Sequence, residues 1–153
     1  LYISIPNDYI TANRSTPFYW NQGAVGAIVI DWGDGTIDTI TNTTTGNKNK
    51  VHKYTSPGDY IIEIEVTSGT IRLGYWGSNQ SIIGTDVCCK CFVTKVEIGD
   101  GVIGLCRNTF DNLPFLKSVS IPITCINHDT GNDYAIFNGQ ELTGIVFPAG
   151  TPG

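Results

Sequence analysis

The side chains that could do chemistry fall into three groups. The first is a set of five cysteines, Cys88, Cys89, Cys91, Cys106 and Cys125. Four thiolates can hold zinc tetrahedrally. Against that, neighbouring cysteines point apart on a strand, and neither His52 nor His128 lies close in sequence. An odd count is also a poor disulfide framework. Buried thiols filling small holes are the simpler expectation, and a bridge involving Cys106 and Cys125 stays open. The second group is Asp31, Asp34 and Asp38, which bracket one turn. Their spacing is not that of a calcium loop, and carboxylates in such a turn serve well as acceptors for backbone N–H groups. The third group is His52, His128, Glu63 and Glu65. No serine sits in a nucleophile elbow, and no Cys–His spacing suggests a thiol protease. Glu63 and Glu65 share the polar face of one strand, not opposite walls of a cleft as glycoside hydrolysis would need. No catalytic residue, metal or cofactor is predicted.

The elements that carry these residues read as β structure. Ile28, Ile30 and Trp32 alternate with Val29 and Asp31, the period of a strand with one face in a core. Asp34-Gly35 is a two-residue hairpin signal. After Pro57-Gly58 a second alternating strand places Tyr60, Ile62, Ile64 and Val66 on one face, with Ile61, Glu63 and Glu65 on the other. Leu1, Ile3 and Ile5 alternate with Tyr2 and Ser4 in an opening strand, and Pro6 to Asn13 reads as a turn region. Pro17-Phe18-Tyr19-Trp20 reads as an aromatic cluster closing one end of the fold. Thr39 to Asn49, almost wholly Thr, Asn, Gly and Lys, has no apolar period and is predicted to be an exposed, mobile loop.

The run Ile30-Asp31-Trp32-Gly33-Asp34-Gly35-Thr36, then His52-Lys53-Tyr54, then Pro57-Gly58-Asp59-Tyr60, resembles the polycystic-kidney-disease (PKD) domain. That family carries a Trp-Asp-Phe-Gly-Asp-Gly-Thr-like turn, then His-x-Tyr, then Pro-Gly-x-Tyr, on an immunoglobulin-like sandwich. Here Trp32 stands before the glycine and aliphatic Ile30 precedes Asp31. The resemblance implies an antiparallel sandwich over 1–70, a spacer or adhesion module without an active site.

From Val93 the pattern changes to an internal repeat. Val93-Thr94-Lys95-Val96-Glu97-Ile98-Gly99 aligns with Leu116-Lys117-Ser118-Val119-Ser120-Ile121-Pro122, and both align with Leu142-Thr143-Gly144-Ile145-Val146-Phe147-Pro148. Units this short must stack to bury their apolar side. The repeat resembles the BspA-like (bacterial surface antigen) class of leucine-rich repeat, with Thr109 in place of its Ala and Leu113 in place of its Cys. The expected organisation is mainly β: a sandwich over 1–70, a connector and first coil over 71–92, and a short leucine-rich-repeat solenoid over 93–153, capped by the sandwich.

Two surfaces are candidates for binding. Lys95 and Glu97, then Lys117, Ser118 and Ser120, face away from the repeat core and form a stacked polar sheet. Trp20, Tyr75 and Trp76 could stack on sugar rings, although such rings also pack domain junctions. The chain has 153 residues, 41% hydrophobic and 15% charged, with a net charge of −5. The acidic balance argues against nucleic acid as a partner, and no stretch is long and apolar enough for membrane insertion. The start at Leu1 reads as the trimmed edge of a longer protein. The two resemblances together imply a non-catalytic adhesion or recognition module at the cell surface or outside the cell. The partner would be a host or surface protein or a glycan. The alternatives are a carbohydrate-binding module of a surface or phage-fibre protein and a purely structural spacer.

Overall fold

The computed structural model describes residues 1–75, 81–83, 93–106, 108–111, 113–122 and 124–125, and strand 144–146 through its backbone. Trp76, Cys88, Cys89, Cys91 and His128 lie outside the described residues. The elements are β1 (Tyr2–Ile5), α1 (Asn7–Thr11), β2 (Thr16–Asp31), β3 (Ile37–Asn42), β4 (Gly46–His52), β5 (Gly58–Ile61), β6 (Glu63–Leu73), β7 (Val93–Glu97), β8 (Val102–Leu105), β9 (Ser118–Ser120) and β10 (Gly144–Val146). The protein is mainly β, with two open sheets that each mix parallel and antiparallel pairs. The front sheet has the order β10-β9-β7-β1-β5. The back sheet has the order β3-β2-β6-β8, with β4 also on β2.

β2 is the spine of the back sheet. Its 16 residues would span about 50 Å fully extended, too long for one short partner. β3 pairs with its second half and β4 with its first, while β6 runs along the other side. Phe18, Trp20, Ile28 and Ile30 all point inward and are buried. The expected end plug at Pro17–Trp20 is therefore the first half of this strand, with Phe18 and Trp20 stacked in the core at 5.5 Å.

Three further expectations are corrected. Thr39 to Asn49 is not a loop: β3 and β4 occupy most of it, interrupted only at 43–45. A strand on a sheet edge keeps little apolar surface to bury, so its sequence shows no hydrophobic period, and the backbone ladder to β2 supplies the order. The Asp34-Gly35 hairpin is wider than two residues. Asp31 pairs with Ile37, Trp32 N–H donates to Thr36 C=O at 3.0 Å, and positive φ falls on Gly33 and Gly35, not on Asp34. A Cβ on Gly33 would lie 2.6 Å from the Ile61 carbonyl oxygen, so only glycine lets this turn rest on β5. The strand after Pro57-Gly58 divides at Ile62: β5 joins β1 in the front sheet, and β6 joins β2 in the back sheet. Ile62 N–H donates to Leu1 C=O at the crossing. The inward set of Tyr60, Ile62, Ile64 and Val66 is kept. In the expected turn region, α1 buries Tyr9, whose hydroxyl lies 2.8 Å from Thr16 Oγ1.

The repeat appears as parallel pairing. Lys95 stands opposite Ser118 and Ser118 opposite Gly144; Val96, Val119 and Ile145 follow, then Glu97, Ser120 and Val146. The partners in each row are the residues that the sequence alignment superposes. β7 also pairs with β1, and β8 pairs with β6 in the back sheet. Both sheets thus run without a break across the expected boundary between 70 and 93. One buried cluster reaches from Leu1 through Phe110, Leu113 and Leu116 to Cys125. Thr109 ties the halves together: its hydroxyl lies 2.8 Å from Leu73 O and 2.6 Å from Cys106 O. A buried hydroxyl needs such partners.

Candidate recognition surface

The acidic turn and its companions form an interlocked structural cluster. Asp31 Oδ1 accepts from Gly33 N–H at 2.8 Å, and Asp34 Oδ1 accepts from Thr36 N–H at 3.0 Å. Asp34 Oδ2 stands 2.8 Å from His52 Nε2. The His52 ring is stacked on Trp32 at 4.7 Å, with Tyr54 edge-on at 4.6 Å. Tyr54 in turn stacks with Tyr60 and donates its hydroxyl to Trp32 C=O at 2.9 Å. Trp32 Nε1 donates to Asp38 Oδ2 at 2.9 Å, and Asp38 pairs with Lys50 at 2.7 Å. Burial opposes the charge on Asp34, but hydrogen bonds from His52 and Thr36 outweigh it and hold the carboxyl below its ordinary pKa. At Asp38 burial is likewise outweighed, there by hydrogen bonds from Lys50 and Trp32. Burial pushes the Tyr54 phenol well up. Asp31, Trp32, Asp34, His52, Tyr54 and Tyr60 thus hold the turn and its neighbours together, a structural role.

The outward face of the front sheet is different. Across it, Ile61, Tyr2, Lys95, Ser118 and Gly144 stand side by side on five neighbouring strands. Lys95 pairs with Glu97 at 2.7 Å, with both side chains well exposed. Its ammonium lies 4.9 Å from the centre of the Tyr2 ring, and the Tyr2 hydroxyl donates to Glu97 at 2.9 Å. Hydrogen bonds from Lys95 and Tyr2 lower the Glu97 pKa, and the same bonds raise those of Lys95 and Tyr2. Beside Tyr2, a shallow hollow is lined by Ser4, Asp59, Ile61 and Thr94, with Ser4 Oγ donating to Asp59 at 2.6 Å. Ser118 and Ser120 are half-buried beside this group and Lys117 is exposed. Lys117 belongs to the turn before β9, where its N–H donates to Thr94 C=O at 2.9 Å. The structure thus brings Lys95, Glu97, Ser118 and Ser120 onto one face and adds Tyr2, which the sequence reading did not single out. Its alternation with Leu1 and Ile3 already put it outward; its meeting with Lys95 depends on the β1–β7 pairing.

The aromatic candidates separate. Trp20 is 1% exposed and its Nε1 donates to Gln22 Oε1 at 3.1 Å, so it offers no ring to a ligand. Strand parity is the reason: Trp20 lies in phase with buried Phe18 and Ile28. Tyr75 is half-buried and packs edge-on against Tyr19 at 4.7 Å on the outer side of the back sheet. Among the described residues no cluster of His, Cys, Asp and Glu is arranged to hold a metal ion. Cys106 and Cys125 are buried and not bridged to each other, and burial pushes the pKa of Cys125 up to about 11. No helix among the described residues is long and apolar enough to cross a membrane. The chain matches no family model, no curated protein and no solved structure.

Proposed function

We propose that this chain is a non-catalytic recognition module of a cell-surface or extracellular protein. In this reading a PKD-like, immunoglobulin-type sandwich continues into short BspA-like repeats, and the outward face of the front sheet receives a host or surface ligand. The observation that carries the reading is the row Ile61, Tyr2, Lys95, Ser118 and Gly144, drawn from both parts of the chain and set in register. Such a face offers an aromatic ring, a cation, a carboxylate and hydroxyls on a rigid β surface. A ligand docking there meets groups already held in place, so little side-chain entropy is lost on binding. Paired strands from different parts of the chain also fix the spacing of these groups better than a loop could.

The test is binding of the labelled chain to an array of glycans, mucins and matrix proteins, with Lys95→Ala and Glu97→Ala alongside. Specific capture that either substitution removes supports the front face as the site. Capture that survives both places recognition elsewhere, and silence across the array favours a spacer.

A further inference from the structure

The outer side of the back sheet carries a second, chemically distinct surface. The register sets Tyr19 opposite Asn49, Asn21 opposite Asn47 and Pro17 opposite Val51. Gly74 N–H donates to Tyr19 C=O at 3.1 Å, which brings Tyr75 beside the Tyr19 ring. Asn47, Asn49 and Val51 are exposed, while Tyr19 and Tyr75 are half-buried.

The polar groups here are pre-oriented. Asn21 Nδ2 donates to Asn47 Oδ1 at 2.9 Å, and Asn49 Nδ2 donates to the Tyr75 hydroxyl oxygen at 2.9 Å. The second bond leaves the Asn49 amide oxygen as an acceptor and the Tyr75 hydroxyl proton as a donor, a few ångströms apart beside two rings. The patch has no carboxylate among the described residues; Glu63 and Glu65 lie on the other half of the sheet, opposite Asp31 and Val29. Among the described residues Arg72, opposite Asn21, is a charged side chain that borders it.

We infer that this patch binds a neutral polysaccharide. Pyranose rings present apolar C–H faces that pack on tyrosine rings. Their hydroxyls both donate and accept, which matches side-chain amides and a phenol better than it matches ions. A sheet surface with no charge at its centre among the described residues suits a neutral chain lying along it. Among the described residues an anionic glycan would find Arg72 at the rim and no cation at the centre. This surface lies on the sheet opposite the Lys95–Glu97 face, so the two readings fail independently.

The experiment is affinity electrophoresis of the full chain through gels containing a mixed-linkage β-glucan, xyloglucan or soluble starch, with sedimentation on cellulose and chitin and a heparin gel as the anionic control. Retention by at least one neutral glycan is expected. Asn49→Ala and Tyr75→Ala should each weaken it by about tenfold. Near-UV circular dichroism reports folding. Should Tyr75→Ala lose the native spectrum, the exposed Asn49→Ala decides alone. No retention on any neutral glycan overturns the inference. Retention that both folded variants keep, or retention by heparin alone, overturns it equally.

Discussion

Replacing His52 by alanine removes two contacts at once. The imidazole is stacked on Trp32 at 4.7 Å, and its Nε2 lies 2.8 Å from Asp34 Oδ2. The two side chains are 10% and 17% exposed. The ring contact contributes about 0.5–1.5 kcal/mol, and a hydrogen bond to a charged group about 1.5–3 kcal/mol. The expected loss is therefore about 2–4 kcal/mol, and the melting temperature of a chain this size should fall by about 5–15 °C. The assay is urea and thermal unfolding followed by tryptophan fluorescence and circular dichroism, on His52→Ala, Asp34→Ala and the double variant. Asp34→Ala also loses the Thr36 N–H bond, but that loss is common to both legs of the cycle and cancels. The coupling energy should be about 1–2 kcal/mol. If the two substitutions prove additive within about 0.3 kcal/mol, the interlocked reading of the motif is wrong.

The same cluster sets a pH dependence. Asp34 and Asp38 have folded pKa values below the ordinary 3.8, so at moderately acid pH the unfolded chain binds more protons than the folded one. Their contribution is complete above the unfolded carboxylate pKa and is lost as pH falls through the lower folded values. The melting temperature should fall as the solution is taken from about pH 5 toward about pH 2, and Asp34→Asn should shrink that fall; an unchanged slope would refute the assignment. Thr109→Val should destabilise by about 1–2 kcal/mol, because the carbonyls of Leu73 and Cys106 lose a buried donor; denaturant unfolding reads this directly. Gly33→Ala should cost more than about 1 kcal/mol, from strain at positive φ and a 2.6 Å approach to Ile61 O. Gly35→Ala, with nothing within 4 Å of the added carbon, should cost less by the same unfolding assay.

How much of this was legible depends on whether a residue's fate is local. Ile28, Ile30 and Trp32 show their strand because one face is buried and the period is two. The register of Lys95, Ser118 and Gly144 was readable because stacked copies repeat the same apolar positions. Thr39 to Asn49 hid its two strands because an edge strand needs no apolar side. The switch of sheets at Ile62 left the alternation intact, so no pattern marked it. Trp20 reads as a surface candidate only when its aromatic cluster is treated as a group; the parity from Phe18 to Trp20 to Ile28 places it inside. The meeting of Tyr2 with Lys95 and Glu97, and that of Tyr75 with Asn49, join residues far apart in the chain. Only the pairing of β1 with β7 and of β2 with β4 reveals them.

The proposed front-face recognition is tested most directly by exchanging its ion pair. Lys95→Glu combined with Glu97→Lys keeps the net charge and the possibility of a salt bridge, while reversing the order of charges beside Tyr2 and Ser118. A pair this exposed contributes little to stability, so the swapped chain should melt within about 4 °C of the native one. Binding of a partner captured by the native chain on the array should nevertheless be lost. A swapped chain that folds equally well and binds the same partner with unchanged affinity would contradict the account.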